Sequence, residues 1–246
     1  DNARHVIVGA DLVIGPERVL TAVIALDGFN GNAKLWPTPF LDIIPLLESY
    51  RGKTVVILAT GDPLWFGAAS TLVRYFSADD MVITPQPSGF QWAASRMGWP
   101  LHNVTCLTVH GRPHETVLKH VGPGHLLFVL AHDKDSPMTI AALLVGAGYG
   151  DAVLTVMGHI GGVNETRHSM PARDWIVQKP DVPDFHVIAI ACPDAVAQYL
   201  PQTPGLADEV FQSDGKLTKA EVRAATLAKL KPQHGGMLWD LGCGSG

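Results

Sequence analysis

Apolar residues run along this chain in two rhythms. Short, nearly unbroken apolar runs fall at 11–14 (DLVI), 54–59 (TVVILA), 81–84 (MVIT), 104–109 (VTCLTV), 125–131 (HLLFVLA), 152–157 (AVLTVM) and 186–191 (HVIAIA). Each reads as a strand, and the lack of polar alternation predicts burial on both faces. Between them, helical spacing appears near 39–50, 66–76, 89–97, 113–120 and 138–147. The last helix has a start signal: Ser136 fits the N-cap and Pro137 the first helical position. Alternation of this kind predicts an α/β fold with mostly parallel sheets. After about residue 160 helical signals thin out and Pro171, Pro180 and Pro183 accumulate, which predicts an antiparallel ending.

The pattern breaks near Pro193–Pro204, where QYLPQTPGL reads as a linker. Residues 218–230 (TKAEVRAATLAKL) then predict an amphipathic helix, with Thr218 as cap and Glu221 completing a capping box. The division expected is a first domain over 1–193, a linker over 194–206 and the start of a second domain over 207–246. There is no internal repeat and no low-complexity tract.

Composition narrows the class. The chain has 246 residues, 47% apolar and 17% charged, enough for a sizeable core. A formal charge of −5 without a basic stripe argues against a general nucleic-acid binder, while a few arginines still suffice for an anionic small molecule. Cys106, Cys192 and Cys243 show neither a disulfide framework nor a zinc spacing, so reduced thiols are expected. No segment reaches the roughly 18 to 20 apolar residues of a membrane span, and no signal-peptide pattern opens the chain. A cytoplasmic enzyme is the expectation, with no membrane or nucleic-acid partner.

Candidate chemistry sits where strands end. In ATGDPLWFG (59–67), Gly61, Asp62 and Pro63 close a strand and suit a ligand loop, although a turn aspartate bonded to backbone amides explains Asp62 equally well. In VHGRP (109–113), His110 fits donation to a carboxylate or acceptance of a proton, and Arg112 fits an acidic arm; a plain capped turn is the alternative. His110 and His114 have the spacing of a metal pair, but Pro113 intervenes and no third ligand presents itself, so no metal site is expected. At the other end, LWDLGCGSG (238–246) places Asp240 at the end of an apolar run, followed by Gly242, Gly244 and Gly246. D-x-G-x-G-x-G resembles motif I of Rossmann-like S-adenosylmethionine methyltransferases, with the G-x-G-x-x-G dinucleotide fingerprint and a ligand-free glycine turn as competitors.

The order TGDPLWFG, PQPSGFQWAASRMGWP (85–100), VHGRP, LAHDKDSPMTIAALL (130–144) and VMGHIGGVNETR (156–167) resembles the tetrapyrrole (corrin and porphyrin) methylase family over essentially the whole chain. The second loop departs from the family's PGISS, since Gln86, Pro87 and Gly89 replace its usual residues. The opening NARHVIVGADLVIGPERVL is similar to the end of the first helix and the strand after it, so the family's first strand and GxGPG loop are expected to be absent, and the chain to be a fragment cut at both ends.

The resemblance implies two α/β lobes with S-adenosylmethionine folded between them and a precorrin tetrapyrrole in the cleft. Gly61, Asp62 and Trp65 match one cofactor loop and Ser88 and Gly89 the next. Ala131, His132, Gly158 and His159 fall at strand ends that contact the cofactor in relatives. Asp62, His110 and Arg112 are the candidate catalytic residues, and Asp240, Gly242 and Gly244 belong to a second cofactor site. The implied chemistry is C-methylation of a precorrin ring in cobalamin synthesis, at C5 by the first domain and at C15 with decarboxylation in the full-length protein, by a homodimer or higher homo-oligomer. Transfer from a sulfonium needs in-line positioning more than acid–base groups, which accounts for the absence of a catalytic triad. Rivals are another corrin-ring or cobalt-precorrin methylase, a nicotinamide dehydrogenase, and a fragment that only binds cofactor or dimerises.

Overall fold

The computed structural model describes residues 2–196, 199–233, 235–242 and 244. Helix α1 (Asn2–Val8) leads into strand β1 (Leu12–Gly15), which is buried along its whole length. The reason is its place: β1 lies between β2 (Asn32–Leu35) and β3 (Val55–Ile57) in an all-parallel three-stranded sheet. Alternate residues serve opposite faces. Leu12 and Ile14 pack with Ile43 of α3 (Ile43–Glu48) and Leu72 of α4 (Ala69–Leu72). Val13 packs with Leu20 and Val23 of α2 (Glu17–Ile24).

The second sheet holds β4 (Val104–Thr108), β5 (Leu126–Leu130), β6 (Val153–Gly158), β7 (Thr166–Pro171) and β8 (His186–Ala191), in the order β4-β5-β8-β6-β7. Neighbours β4 and β5 run parallel; β8 enters antiparallel between β5 and β6, and β7 pairs antiparallel at the edge. The α/β class therefore holds, with one parallel sheet and one mixed sheet whose late strands form the antiparallel ending. One face carries Leu127, Val129, Leu154, Val156, Ile188 and Ile190 against α6 (Ser136–Gly146) and α7 (Ala172–Gln178). The other carries Phe128, Met157, Val187 and Ala189 against Phe90 and Ala93 of α5 (Gly89–Met97).

Several elements differ from their sequence patterns. Residues 81–84 form no strand: no neighbour pairs with them and Val82 is fully exposed, so β propensity had nothing to act on. Helix α4 spans only four residues, and it does not start at Phe66, whose positive φ of 56° lies outside helical space. Residues 114–119 wind as a 3-10 helix rather than an α-helix. Strands β2 (NAKL) and β7 (TRHSMP) are edge strands with largely polar sequences and carried no apolar signal. Helix α6 begins at Ser136, but Asp135 holds the cap position without a side-chain bond, and the Ser136 hydroxyl turns back into the preceding loop instead.

Beyond the second sheet, α8 (Ala220–Leu230) starts two residues after Thr218, with no side-chain cap and no buried residue. Arg223 ties this helix to the chain before it: its guanidinium donates to the Asp208 carboxylate at 2.6 Å and to the Leu206 and Thr218 carbonyls, and lies over the Phe211 ring. Residues 237–240 pair with no strand among the described residues, and Met237, Leu238 and Trp239 are exposed. An apolar run becomes a strand only beside a partner, and here none lies alongside. Gly246 of the glycine motif lies outside the described residues, as does Cys243.

Candidate active site

The parallel strands of both sheets direct their carboxyl ends toward one space, where ligands bind in open α/β sheets. The turns there enclose a cavity of about 550 Å³, within the range of small-molecule pockets. From the first sheet come Pro16 and Arg18 after β1, Trp36 after β2, and 59–62 with 65–68 after β3. The second sheet adds Ser88 and Gly89 at the start of α5, Thr108 and His110 after β4, Leu130–His132 at the end of β5, His159 and Ile160 after β6, and Asp184–Val187 entering β8. Because β8 is antiparallel, its amino end is the end that reaches the cavity.

The Gly61–Gly67 loop is wound tightly. Gly61 takes φ +71°, and a Cβ there would stand 3.2 Å from Ser88 Cα, so the two predicted cofactor loops lie in contact only because this residue is glycine. Asp62 Oδ1 accepts the backbone N–H groups of Leu64 (2.8 Å) and Trp65 (3.1 Å), which is the turn arrangement, while the residue also lines the cavity. Trp65 packs against Phe90 with ring centroids 4.9 Å apart, anchoring the loop on α5. Phe66, held in the left-handed region, meets Phe90 edge-on and lies under the Arg112 guanidinium, 5.5 Å from its ring centroid.

Ser88 is the N-cap of α5. Its hydroxyl accepts from Phe90 N at 3.2 Å, and Gln91 Oε1 accepts from Ser88 N at 2.8 Å, a reciprocal capping box. The motif S-x-x-Q was present in the sequence and identifies this cap. Gly89 packs flush against Val187 and Leu130; an added Cβ would stand 2.8 Å from Val187 Cγ2.

The histidines converge. His110 and His132 stand with ring centroids 5.1 Å apart on one side of the cavity, both exposed. The His132 backbone is fixed by Ser136 Oγ, which accepts from His132 N and Asp133 N and also contacts His114 Nε2. His114 Nε2 thus has the Ser136 hydroxyl as a partner, at 3.1 Å. Hydrogen bonds from Ser136 and from the Asp135 amide hold the Asp133 carboxyl below its usual range, against an opposing burial effect. His159 takes φ +46° and donates its backbone N–H to Phe185 O at 3.0 Å.

Five predicted positions fall elsewhere. Gly158 does not line the cavity: it is buried where a Cβ would meet Pro183 Cγ and Thr166 Oγ1, both at 2.5 Å, so its small size serves packing. Arg112 lies behind Phe66 and not in the cavity wall. Asp240, Gly242 and Gly244 are also outside the cavity, although Gly242 and Gly244 have the positive φ values of a glycine turn. Among the described residues there is no cluster of three or more His, Cys, Asp or Glu able to hold a metal.

Sequence reasoning missed Arg18, Trp36, Asp184, Phe185 and His186. Arg18 stacks on Phe185 at 3.9 Å and so joins the two sheets across the cavity. His186 is buried, and its Nδ1 lies 2.7 Å from Pro183 O. A carbonyl can only accept, so Nδ1 carries the proton and Nε2 is a bare acceptor. Among the described residues Nε2 has no partner, nor has the Trp36 Nε1 donor. Burial lowers the His186 pKa, against the raising influence of the Pro183 bond, Asp133 and Asp184.

Residues 2–161 match the tetrapyrrole (corrin/porphyrin) methylases, and residues 209–246 match the precorrin methyltransferase domain. The chain belongs to the tetrapyrrole (corrin/porphyrin) methylases. It is 37% identical over its whole length to a precorrin-6Y C(5,15)-methyltransferase [decarboxylating] of Sinorhizobium and spans 59% of that protein's length. Two solved structures share the fold. A precorrin-6Y methylase of Archaeoglobus fulgidus aligns with TM-score 0.56 at 20% identity, covering 79% of this chain and 91% of the other. A uroporphyrin-III C-methyltransferase of Thermus thermophilus, complexed with S-adenosylhomocysteine, aligns with TM-score 0.59 at 20% identity, covering 77% and 89%. No helix among the described residues of this tetrapyrrole methylase is long and apolar enough to cross a membrane.

Proposed function

We propose that this chain binds S-adenosylmethionine in the cavity between the two sheets and methylates precorrin-6Y at C5, in a protein that also methylates C15 with decarboxylation. The observation that carries this is the contact between the Gly61–Gly67 loop and the start of α5 inside a single cavity of about 550 Å³, in a member of the tetrapyrrole methylase family. The residues present fit a nucleoside-sized cofactor: backbone turns approach closely at Gly61 and Gly89, the wall has aromatic and aliphatic surface at Trp65, Ile160 and Val187, and Trp36 and His186 hold a donor and an acceptor without a partner among the described residues.

When bound, S-adenosylmethionine supplies the methyl group as a sulfonium with a neutral leaving group. The chain's part is to position and to exclude water. Gly61 and Ser88 fix the relative placement of two loops, Trp65 anchors one of them on α5, and the Arg18–Phe185 stack draws the two sheets together. His110 and His132 stand where an acidic arm of the tetrapyrrole can be received, or where the proton lost from the methylated carbon can be held. Arg112, stacked on Phe66, adds positive charge behind them. In this assignment residues 1–193 form the methylase domain, 194–206 the linker and 207–246 the start of a Rossmann-like methyltransferase domain around Asp240, Gly242 and Gly244. With the same reading we propose a cytoplasmic setting and a homodimer or higher homo-oligomer.

The test is incubation of the protein with methyl-labelled S-adenosylmethionine and precorrin-6Y, read by mass spectrometry of the tetrapyrrole. One labelled methyl group at C5 is expected. A folded, cofactor-binding protein that transfers none would refute the substrate assignment.

A further inference from the structure

The connection between β6 and β7, residues 159–165, supplies His159 and Ile160 to the cavity, yet its tip is bare: Val163 is fully exposed. Its place is set from outside the cavity, by α5. Arg96, two turns along α5 from Ser88, makes a two-pronged bond to Glu165, with Nε to Oε1 at 2.7 Å and Nη2 to Oε2 at 2.9 Å. Glu165 Oε2 also accepts the backbone N–H of Gly161 at 2.8 Å. Gly161 in turn lies on the Trp92 ring of the same helix, so closely that a Cβ would stand 3.3 Å from it, and Arg96 lies over that ring. One carboxylate therefore ties the loop to α5 and also sets its internal turn. The Arg96 and Gly161 hydrogen bonds hold the Glu165 carboxyl below its ordinary range.

The same helix presents Ser88 and Gly89 to the cavity at its first turn. Helix α5 thus carries two walls of the site, one directly and one through Arg96 and Glu165. His159 in this loop sits at φ +46°, a conformation uncommon outside glycine. We propose that Arg96 and Glu165 are a positioning pair, which holds the 159–165 loop on α5 so that His159 and Ile160 stand at the cofactor. This rests on the cofactor assignment of the proposed function. Neither residue touches the cavity, so both act through the loop.

The pair lies at the surface, with side chains 39% and 25% exposed, and surface ion pairs contribute little to global stability. The effect therefore belongs in ligand affinity and not in unfolding. Isothermal calorimetry with S-adenosylhomocysteine on the whole chain, together with Tm and amide exchange at Gly161, separates the two. Arg96→Ala and Glu165→Ala are each expected to weaken affinity by about tenfold through misplacement of the wall, with Tm within about 2 °C of the parent and faster exchange at Gly161. The double variant should be no weaker than either single one, since the two act as a unit. Glu165→Gln keeps an acceptor for Gly161 N–H and should keep most of the affinity; if an alanine variant fails to fold, Arg96→Gln, which loses the two-pronged bond, is expected to show the same loss. Parent-like affinity in Arg96→Ala and Glu165→Ala, or in Arg96→Gln where these do not fold, overturns the positioning role and leaves the cofactor assignment standing. Failure of the parent chain itself to bind overturns both.

Discussion

Asp62 bonds two consecutive backbone amides through a single oxygen, Oδ1, which defines what its substitution should do. An asparagine keeps a carbonyl oxygen in that place and an alanine does not. If the side chain works by shaping the loop, Asp62→Asn retains affinity for S-adenosylhomocysteine while Asp62→Ala loses roughly tenfold, about the effect of one or two hydrogen bonds. Equal, large losses in both variants would show instead that the charge faces the ligand. The sequence posed this choice and could not resolve it, because a ligand loop and a turn use the same residue types.

His186 makes a pH prediction. Its folded-state pKa is lowered, chiefly by burial, with Asp133 and Asp184 opposing. Arg18, Asp62, His110, His132 and His159 are the other charged or titratable residues around the same cavity. A depressed histidine is neutral in the fold while the unfolded chain takes up a proton below its ordinary value near 6.5. Its contribution is therefore fully present above that value and is lost as pH falls toward the folded pKa. Between pH 7 and pH 5 the parent's Tm should fall further than that of His186→Asn, which can still donate to Pro183 O but cannot titrate. Parallel falls would remove His186 from the account.

Among the elements, legibility followed burial. Strands β1, β5, β6 and β8 are central, covered on both faces, and their unbroken apolar runs announced them. Edge strands β2 and β7 owe their existence to a neighbour's backbone, not to apolar side chains, and so left no trace in the pattern. The run at 81–84 is the converse case, β-prone residues with nothing to pair with. The site divides along the same line. Gly61 and Asp62 were recognisable because they close a strand in a turn, and motif order in a known family placed Ser88 and Gly89. Arg18, Trp36, Phe185 and His186 depend on which strand ends meet, which is a property of topology. Trp36 in particular follows β2, the strand the sequence concealed.

At the scale of the molecule, a parallel sheet and a mixed sheet meet across one cavity, and both contribute loops to it. The arrangement suits the proposed methyl transfer, which requires a donor and an electron-rich carbon held in line more than it requires proton transfer. Among the described residues, none after Val187 lines the cavity. The central claim is that this cavity recognises a sulfonium-type adenosyl cofactor and not a dinucleotide. Calorimetry of the chain with S-adenosylhomocysteine and, separately, with NAD tests it most directly. The account predicts saturable one-to-one binding of S-adenosylhomocysteine, weakened by Asp62→Ala, and no comparable heat with NAD. Preferential binding of NAD would contradict it.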